Sequence, residues 1–209
     1  MELADGGTNP AIHVVDDDPA LHAALDSLFR SVGYEVHVYG STSQFMASGR
    51  SQAAGCLVLD VRLPGTSGLD FQVQLNQAGV TMPVILMTGH GDIPMSVRGM
   101  KAGAVDFLAK PFREQDMLDA VASAMSRDAT MREEREKAAD LLDRFQTLSS
   151  REREVMMAVA QGLMNKQIAF DLGLSEITVK IHRGNAMRKM QARTLADFVK
   201  MAETLKTPI

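Results

Sequence analysis

Asp60 closes the apolar run CLVLD (56–60) and is followed at once by the turn-forming stretch VRLPGTSG (61–68). The run reads as a buried strand, and the Pro-Gly pair ends it. Its carboxylate therefore stands at the carboxyl end of a central strand, where open α/β sheets gather their ligands. A second acidic group, Asp16-Asp17-Asp18, follows another apolar run, AIHVV (11–15). Carboxylates at the ends of two strands can share one hard cation such as Mg²⁺, with waters and phosphate oxygens completing its octahedron. Such a cation offsets charge developing on a phosphoryl group in transfer, and an Asp can serve as the nucleophile. Asp17 and Asp60 are the expected direct ligands, with Asp16 acting through water.

Three more residues sit at corresponding places. Thr88 follows the run PVILM (83–87) and offers a hydroxyl, Lys110 follows AVDFLA (104–109) and offers an ammonium, and Phe107 lies three residues before that lysine. Parallel strands deliver their carboxyl ends to one edge, so these groups should converge. Asp and Thr at strand ends are also ordinary turn formers, and any one alone would be bland. Four strand ends carrying Asp16/Asp17, Asp60, Thr88 and Lys110 favour a phosphoryl site.

The elements that must position them alternate along 11–125. With YEVHVY (34–39), five strand candidates are separated by amphipathic segments. One places Leu21, Ala24, Leu25, Leu28, Phe29 and Val32 on an apolar face, opened by Asp18-Pro19 and closed by Gly33. Another follows Pro111 with Met117, Leu118, Val121, Ala122 and Met125. The expected fold is an α/β doubly wound, five-stranded parallel sheet. Residues 1–10 are expected to be disordered. Residues 126–147 are charged and free of Gly and Pro. They read as a helical linker or, through Met131, Ala138, Leu141, Phe145 and Leu148, as a short coiled coil. From 148 to 209 only helices are expected. Ser149 or Ser150 caps the first, NKQIAFDL (165–172) is the second, and Gly173 and Ser175 form the turn into a third. This is helix-turn-helix order. A last helix, 194–205, is amphipathic through Leu195, Phe198, Val199, Ala202 and Leu205.

Charge separates the two ends. Residues 1–125 hold 7 Lys and Arg against 14 Asp and Glu, whereas 146–209 hold 10 against 6. The basic end favours nucleic acid as its partner. The single cysteine, Cys56, has no partner for an internal disulfide, which suits a reducing, cytoplasmic compartment. The 15 methionines are scattered at helical spacing and read as core filler. No charged region followed by an apolar stretch opens the chain, so no signal peptide is expected. No apolar run approaches the roughly 20 residues of a membrane span.

In the third C-terminal helix, Val179, His182, Ala186 and Met190 share the face expected to pack inward. Lys180, Ile181, Arg183, Gly184 and Arg188 are expected on the outer arc. Lys and Arg there suit phosphates or guanine edges, and Ile181 suits a thymine methyl. Gly184 costs a helix about 1 kcal/mol relative to Ala, which close approach to DNA would justify. The alternative is an ordinary charged helix face.

The series DDD, LDVRLPGTSG, MTGHGD and AGAVDFLAKPF resembles the receiver domain of bacterial two-component response regulators over 11–125, and 89–107 resembles the FixJ type in particular. The resemblance implies that Asp60 accepts phosphate from a sensor histidine kinase. It implies Mg²⁺ held by Asp17, Asp60 and the Arg62 carbonyl, with Asp16 nearby. Thr88 and Lys110 would contact phosphoryl oxygens, Phe107 would take the aromatic switch position, and the peptide before Pro111 would be cis. Residues 148–190 resemble the LuxR-type helix-turn-helix of NarL/FixJ regulators, through Glu152, Gly162, Asn165, Lys166, Ile168, Ala169, Leu174, Ser175, Thr178, Val179, Lys180 and His182. That similarity implies Lys180, Ile181 and Arg183 as DNA contacts, with Thr178, Gly184 and Arg188 beside them. Some relatives carry a base-contacting Lys where this chain has Gly184.

The expected protein is a cytoplasmic, non-enzymatic transcriptional regulator. Phosphorylation at Asp60 would bias a surface near 93–125 toward homodimerisation and promoter binding, with RNA polymerase as a further partner. One rival is a Mg²⁺-dependent aspartyl phosphotransferase or phosphatase. It would require a substrate cap and a separate acid/base, and neither is evident. The other is an adaptor whose final helices bind protein, which the salt dependence of DNA binding would separate.

Overall fold

The computed structural model describes residues 9–89 and 93–206. The expected disorder of 1–10 therefore concerns mainly residues outside the described ones, as do His90, Gly91 and Asp92 of the MTGHGD stretch. The chain divides into two units between Arg132 and Glu133.

The first unit holds β1 (Ala11–Val15), α1 (Pro19–Ser31), β2 (Glu35–Tyr39), α2 (Thr42–Ala47), β3 (Gly55–Asp60), α3 (Gly68–Gln77), β4 (Val84–Thr88), α4 (Ile93–Lys101), β5 (Asp106–Ala109) and the start of α5 (Glu114–Gln146). Every strand pair is parallel, in the order β2-β1-β3-β4-β5. The order reverses beside β1, so a crevice opens between the carboxyl ends of β1 and β3. Helices cover both faces, so the central strands are buried along their whole length and mostly apolar. Alternate residues feed opposite layers. Ile12, Val14, Val58, Ile85 and Met87 pack with Leu25, Phe29, Met117 and Val121. Val15, Leu57, Leu59 and Leu86 pack with Phe45, Leu69, Phe71 and Leu75.

Several expected core positions differ. Ala24 and Val32 of the first helical segment face solvent, leaving Leu25 and Phe29 as its buried residues. In α5, Ala122 is exposed. The buried stripe is Met117, Ala120, Val121, Ala124 and Asp128. Each step along a helix turns about 100°, so a neighbour of a buried residue easily faces water.

Asp128 explains how α5 is fastened within this unit. Its buried carboxylate accepts the Gly55 N–H at 2.9 Å and pairs with Arg132 Nε at 2.7 Å. Arg132 also donates to the Gln52 carbonyl at 3.1 Å and to that of Ala53. Gly55 itself has φ +135°, and a Cβ there would lie 1.8 Å from the Ala11 carbonyl oxygen. Only glycine lets the start of β3 approach β1 this closely.

The second unit continues α5 and adds α6 (Ser150–Ala160), α7 (Asn165–Leu172), α8 (Glu176–Lys189) and α9 (Leu195–Lys206). Residues 126–146 are thus one uninterrupted helix with residues 114–125. Leu141, Phe145 and Leu148, three of the five candidate heptad positions, join this unit's own core with Val155, Met156, Ile168, Val179, Ala186 and Phe198. Ser149 and Glu152 form a reciprocal capping box at α6. Leu195, expected on the buried face of the last helix, is exposed, while Phe198 and Ala202 are fully covered.

Two outcomes follow for stability. Asp128→Ala leaves the Gly55 N–H and Arg132 without their acceptor and should cost about 2–3 kcal/mol, read as a lower urea midpoint for the first unit. His13 is the second case. It is fully buried, stacks on His37 at 5.4 Å between ring centroids, and has Nδ1 3.2 Å from the Tyr39 hydroxyl. Burial, then the neighbouring His37 and Arg50, pushes its pKa down to about 4. The fold holds it neutral, so its contribution is complete above pH 6.5 and is lost as pH falls from there toward 4. That loss is up to roughly 3 kcal/mol. In urea titrations across this range, His13→Gln should flatten the pH slope of stability, and an unchanged slope would refute the assignment.

Candidate functional site

The pairing Val15↔Leu59 aligns the strands so that Asp16 and Asp60 emerge side by side. Both are buried, and Asp17 beside them is exposed. Carboxylate oxygens of Asp16, Asp17 and Asp60 lie within 4.8 Å of one another, the one such group of three acidic, His or Cys residues among those described. Lys110 Nζ sits between the two buried carboxylates, 2.6 Å from Asp16 Oδ2 and 2.7 Å from Asp60 Oδ2. It arrives there because the Lys110 N–H donates to the Thr88 carbonyl at 2.7 Å, extending the β4–β5 pairing by one residue. The Lys110–Pro111 peptide is cis. Thr88 is the last residue of β4 and is fully buried.

The loop after β3 is folded back on the acidic residue it follows. The Arg62 N–H donates to Asp60 Oδ1 at 3.0 Å, and the Gly68 N–H donates to the Val61 carbonyl at 2.9 Å. A Cβ on Gly68 would stand 2.2 Å from the Asp60 carbonyl oxygen, so any larger residue would displace the loop. On the other side, Asp16 Oδ1 accepts the Asp18 N–H at 2.8 Å. The Asp16 carbonyl accepts from His22 Nε2 at 2.7 Å. His22 was not singled out from sequence. Its position one turn into α1 is the signal that a return contact to β1 was available.

Electrostatics follow from crowding. Burial disfavours charge on Asp16, and although Lys110 and the Asp18 N–H favour it, repulsion from Asp60 adds to burial and its pKa is raised. Burial also works against charge on Lys110, but its hydrogen bonds to Asp16 and Asp60 outweigh that and raise its pKa. The pocket therefore gathers more negative charge than one ammonium offsets, a donor set of hard oxygens suited to Mg²⁺. Phe107 is half-buried and packs in the same cluster as Met95 of α4. A Cβ on Gly99 would approach its ring at 3.5 Å.

In the second unit, α7 ends in Gly173, left-handed at φ 67°, with the Leu174 N–H returning to the Ala169 carbonyl at 2.8 Å. Ser175 then caps α8, accepting the Thr178 N–H at 3.1 Å. Val179 and Ala186 of α8 and Met190, its C-cap, are fully buried, with His182 half-buried between them. Lys180, Ile181, Gly184 and Arg188 are exposed as expected, and Thr178 is half-buried with its hydroxyl 2.8 Å from that of Ser175. Arg183 departs from the expected outer arc. It is half-buried and donates to Asn165 Oδ1 at 3.2 Å. At about 100° per residue it lies within about 20° of Met190 in projection, nearer the buried face than the exposed one. Lys189, also basic, bonds to buried Glu152 at 2.6 Å and to the Thr147 carbonyl at 3.1 Å. Burial works against charge on Glu152, but its bonds from Lys189 and Ser149 hold it below the usual glutamate pKa. Two exposed apolar residues were not singled out from sequence: Ile177 on α8 and Phe170 on α7, 70% and 87% exposed. The helical period of α8 was the available signal for Ile177, which stands one turn before Ile181.

The family model of the response regulator receiver domain matches residues 12–122, and that of the luxR family of bacterial regulatory proteins matches 146–202. The chain is 54% identical over 201 residues to nodulation protein W of Bradyrhizobium diazoefficiens, covering 96% of this chain and 88% of that one. It is 43% identical over 191 residues to the transcriptional regulatory protein FixJ of Azorhizobium caulinodans, covering 91% and 90%. Among solved structures, that of the response regulator StyR is 45% identical, superposes with a TM-score of 0.84, and is covered to 99% by 94% of this chain. Among the described residues no helix is long and apolar enough to cross a membrane. With an acidic cluster and its lysine at the carboxyl edge of a 2-1-3-4-5 sheet, and a helix-turn-helix behind it, the chain belongs to the NarL/FixJ family of response regulators, transcriptional regulators that join a receiver to a LuxR-type DNA-binding domain.

Proposed function

We propose that Asp60 is the phospho-acceptor of this regulator. The observation that carries this reading is the Lys110 ammonium bridging Asp16 and Asp60 while the Asp17 carboxylate stands within 4.8 Å. A carboxylate oxygen of Asp60 attacks phosphorus of a kinase phosphohistidine. The new O–P bond forms as the N–P bond breaks, and the electron pair returns to the imidazole nitrogen. Asp17, Asp60 and the Arg62 carbonyl would hold Mg²⁺, with Asp16 acting through water. When bound, Mg²⁺ neutralises charge on the phosphoryl oxygens. Lys110 pairs with one phosphoryl oxygen and exchanges its contact with Asp60 for it, while Thr88 hydrogen-bonds another.

Phosphorylation replaces a monoanion by a dianion at the end of β3, which draws on Thr88 and, through β4 and β5, on Phe107. Phe107 packs in one cluster with Met95 of α4, and that helix exposes Ile93, Val97 and Met100, spaced to share one face. This supports a homodimer formed through the 93–125 surface. Dimerisation places two α8 helices on half-sites about one DNA turn apart. Lys180 and Arg188 contact phosphates, with Ile181, Gly184 and Thr178 close to the bases. Arg183 acts by holding Asn165 and α7 in place as well as by its charge. A sensor histidine kinase upstream, promoter DNA and RNA polymerase downstream, and a cytoplasmic setting complete the reading.

Asp60→Asn should abolish uptake of labelled phosphate from a small acyl phosphate donor, and chelation of divalent cations should do the same to the unaltered chain. Equal labelling of Asp60→Asn would place the nucleophile elsewhere. For the DNA contacts, log affinity should fall linearly with log salt, and Lys180→Ala should reduce that slope by about one. A slope unchanged in the variant would remove Lys180 from the phosphate contacts.

A further inference from the structure

The exposed face of α8 has a feature that phosphate binding does not explain. Ile177 and Ile181 are 70% and 57% exposed, one turn apart, in the first half of the helix. In helical projection Ile177, Ile181, Gly184 and Arg188 fall within about 60° of one another at 100° per residue. That arc lies opposite Val179, Ala186 and Met190, which are fully buried. Two branched apolar side chains held in water at the leading end of the helix are costly in the free protein. Among the neighbouring exposed charged groups Lys180 lies beside them and Arg188 beyond, with Glu176 the acidic one at the start of the helix. Residues 146–209, which include them, hold 10 Lys and Arg against 6 Asp and Glu. A polyanion with apolar groups on its edges fits this surface better than an apolar protein groove does.

We propose that Ile177 and Ile181 together form a methyl-reading pair that selects two thymines in each half-site. This deepens the proposed DNA-binding function and rests on it. The N-terminal residues of a recognition helix meet base edges in the major groove, and Ile177 is the second residue of α8. In that groove the thymine 5-methyl group is the apolar feature of the base code. Residues four apart are separated by about 6 Å along the helix, close to two base-pair steps of about 3.4 Å each. The two isoleucines therefore match thymines about two base pairs apart. Gly184, one turn beyond with nothing within 4 Å of a Cβ placed there, presents no side chain to the bases. Sequence discrimination is thereby concentrated in the apolar pair.

The test uses the full chain treated with a phosphodonor and random-sequence duplex DNA. Selection should enrich sites with two thymines about two base pairs apart in each half. Replacing either by deoxyuridine, which removes only the methyl, should weaken binding about fourfold, as expected for one buried carbon. Ile177→Ala should erase the penalty at one position and keep it at the other, and Ile181→Ala should do the reverse. Both residues are exposed, so neither variant disturbs the core, and circular dichroism serves as the check on folding. Equal affinity for thymine and deoxyuridine sites, with salt-sensitive binding intact, overturns the methyl-reading pair while leaving the DNA-binding function standing. Absence of any binding to the selected DNA overturns both.

Discussion

The constraint on which the first unit turns is the close approach of two carboxylates, Asp16 and Asp60, at the ends of adjacent parallel strands. Left alone they would repel, and burial would drive a proton onto one of them. Lys110 opposes this by lying within 2.7 Å of both, although burial still holds the Asp16 carboxyl above its usual pKa. Every nearby device keeps this arrangement in register. Gly68 lets the β3 loop fold onto the Asp60 carbonyl, His22 and the Asp18 N–H fix the backbone and side chain of Asp16, and the Lys110 N–H continues the β4–β5 pairing. A site with one cation and three carboxylates is short of positive charge. Its donor set of hard oxygens thereby suits a divalent metal.

The same economy of charge shapes the second unit. Of the basic residues on α8, Lys189 is bound to buried Glu152 and Arg183 to Asn165, so both stabilise the helix packing. Lys180 and Arg188 remain facing water, flanking an apolar stripe. The Glu152–Lys189 pair, with its carboxylate buried and its lysine side chain 37% exposed, joins the first residues of α6 to the last turn of α8. The exposed face of α8 is therefore narrower and less basic than the count of Lys and Arg suggests.

Helix α5 contributes residues to two cores. Its buried stripe through Asp128 belongs to the first unit, ending at Arg132 with its bonds to the Gln52 and Ala53 carbonyls. Leu141 and Phe145 belong to the second. The charged stretch between them needs no apolar partner of its own. Spacing that reads as a weak heptad arises because residues at helical period are used by a globular core.

Much of this was legible from the chain itself. Strand β1 and helix α7 were legible to the residue, because an apolar run bounded by Asp, or a capped segment ending in Gly, has few other ways to satisfy its backbone. Asp16, Asp17, Asp60, Thr88 and Lys110 were legible because strand ends in a parallel sheet share one edge. What sequence periodicity could not decide was which side of a borderline position meets a neighbour. Ala24, Ala122 and Leu195 are apolar but face water, Arg183 is charged but half-buried, and Asp128 is acidic and buried because the Gly55 N–H and Arg132 await it. Those outcomes depend on partners far along the chain. Local pattern determines which elements form and what their ends carry, whereas burial and pairing at a given residue are decided only when distant backbone and side chains close around it.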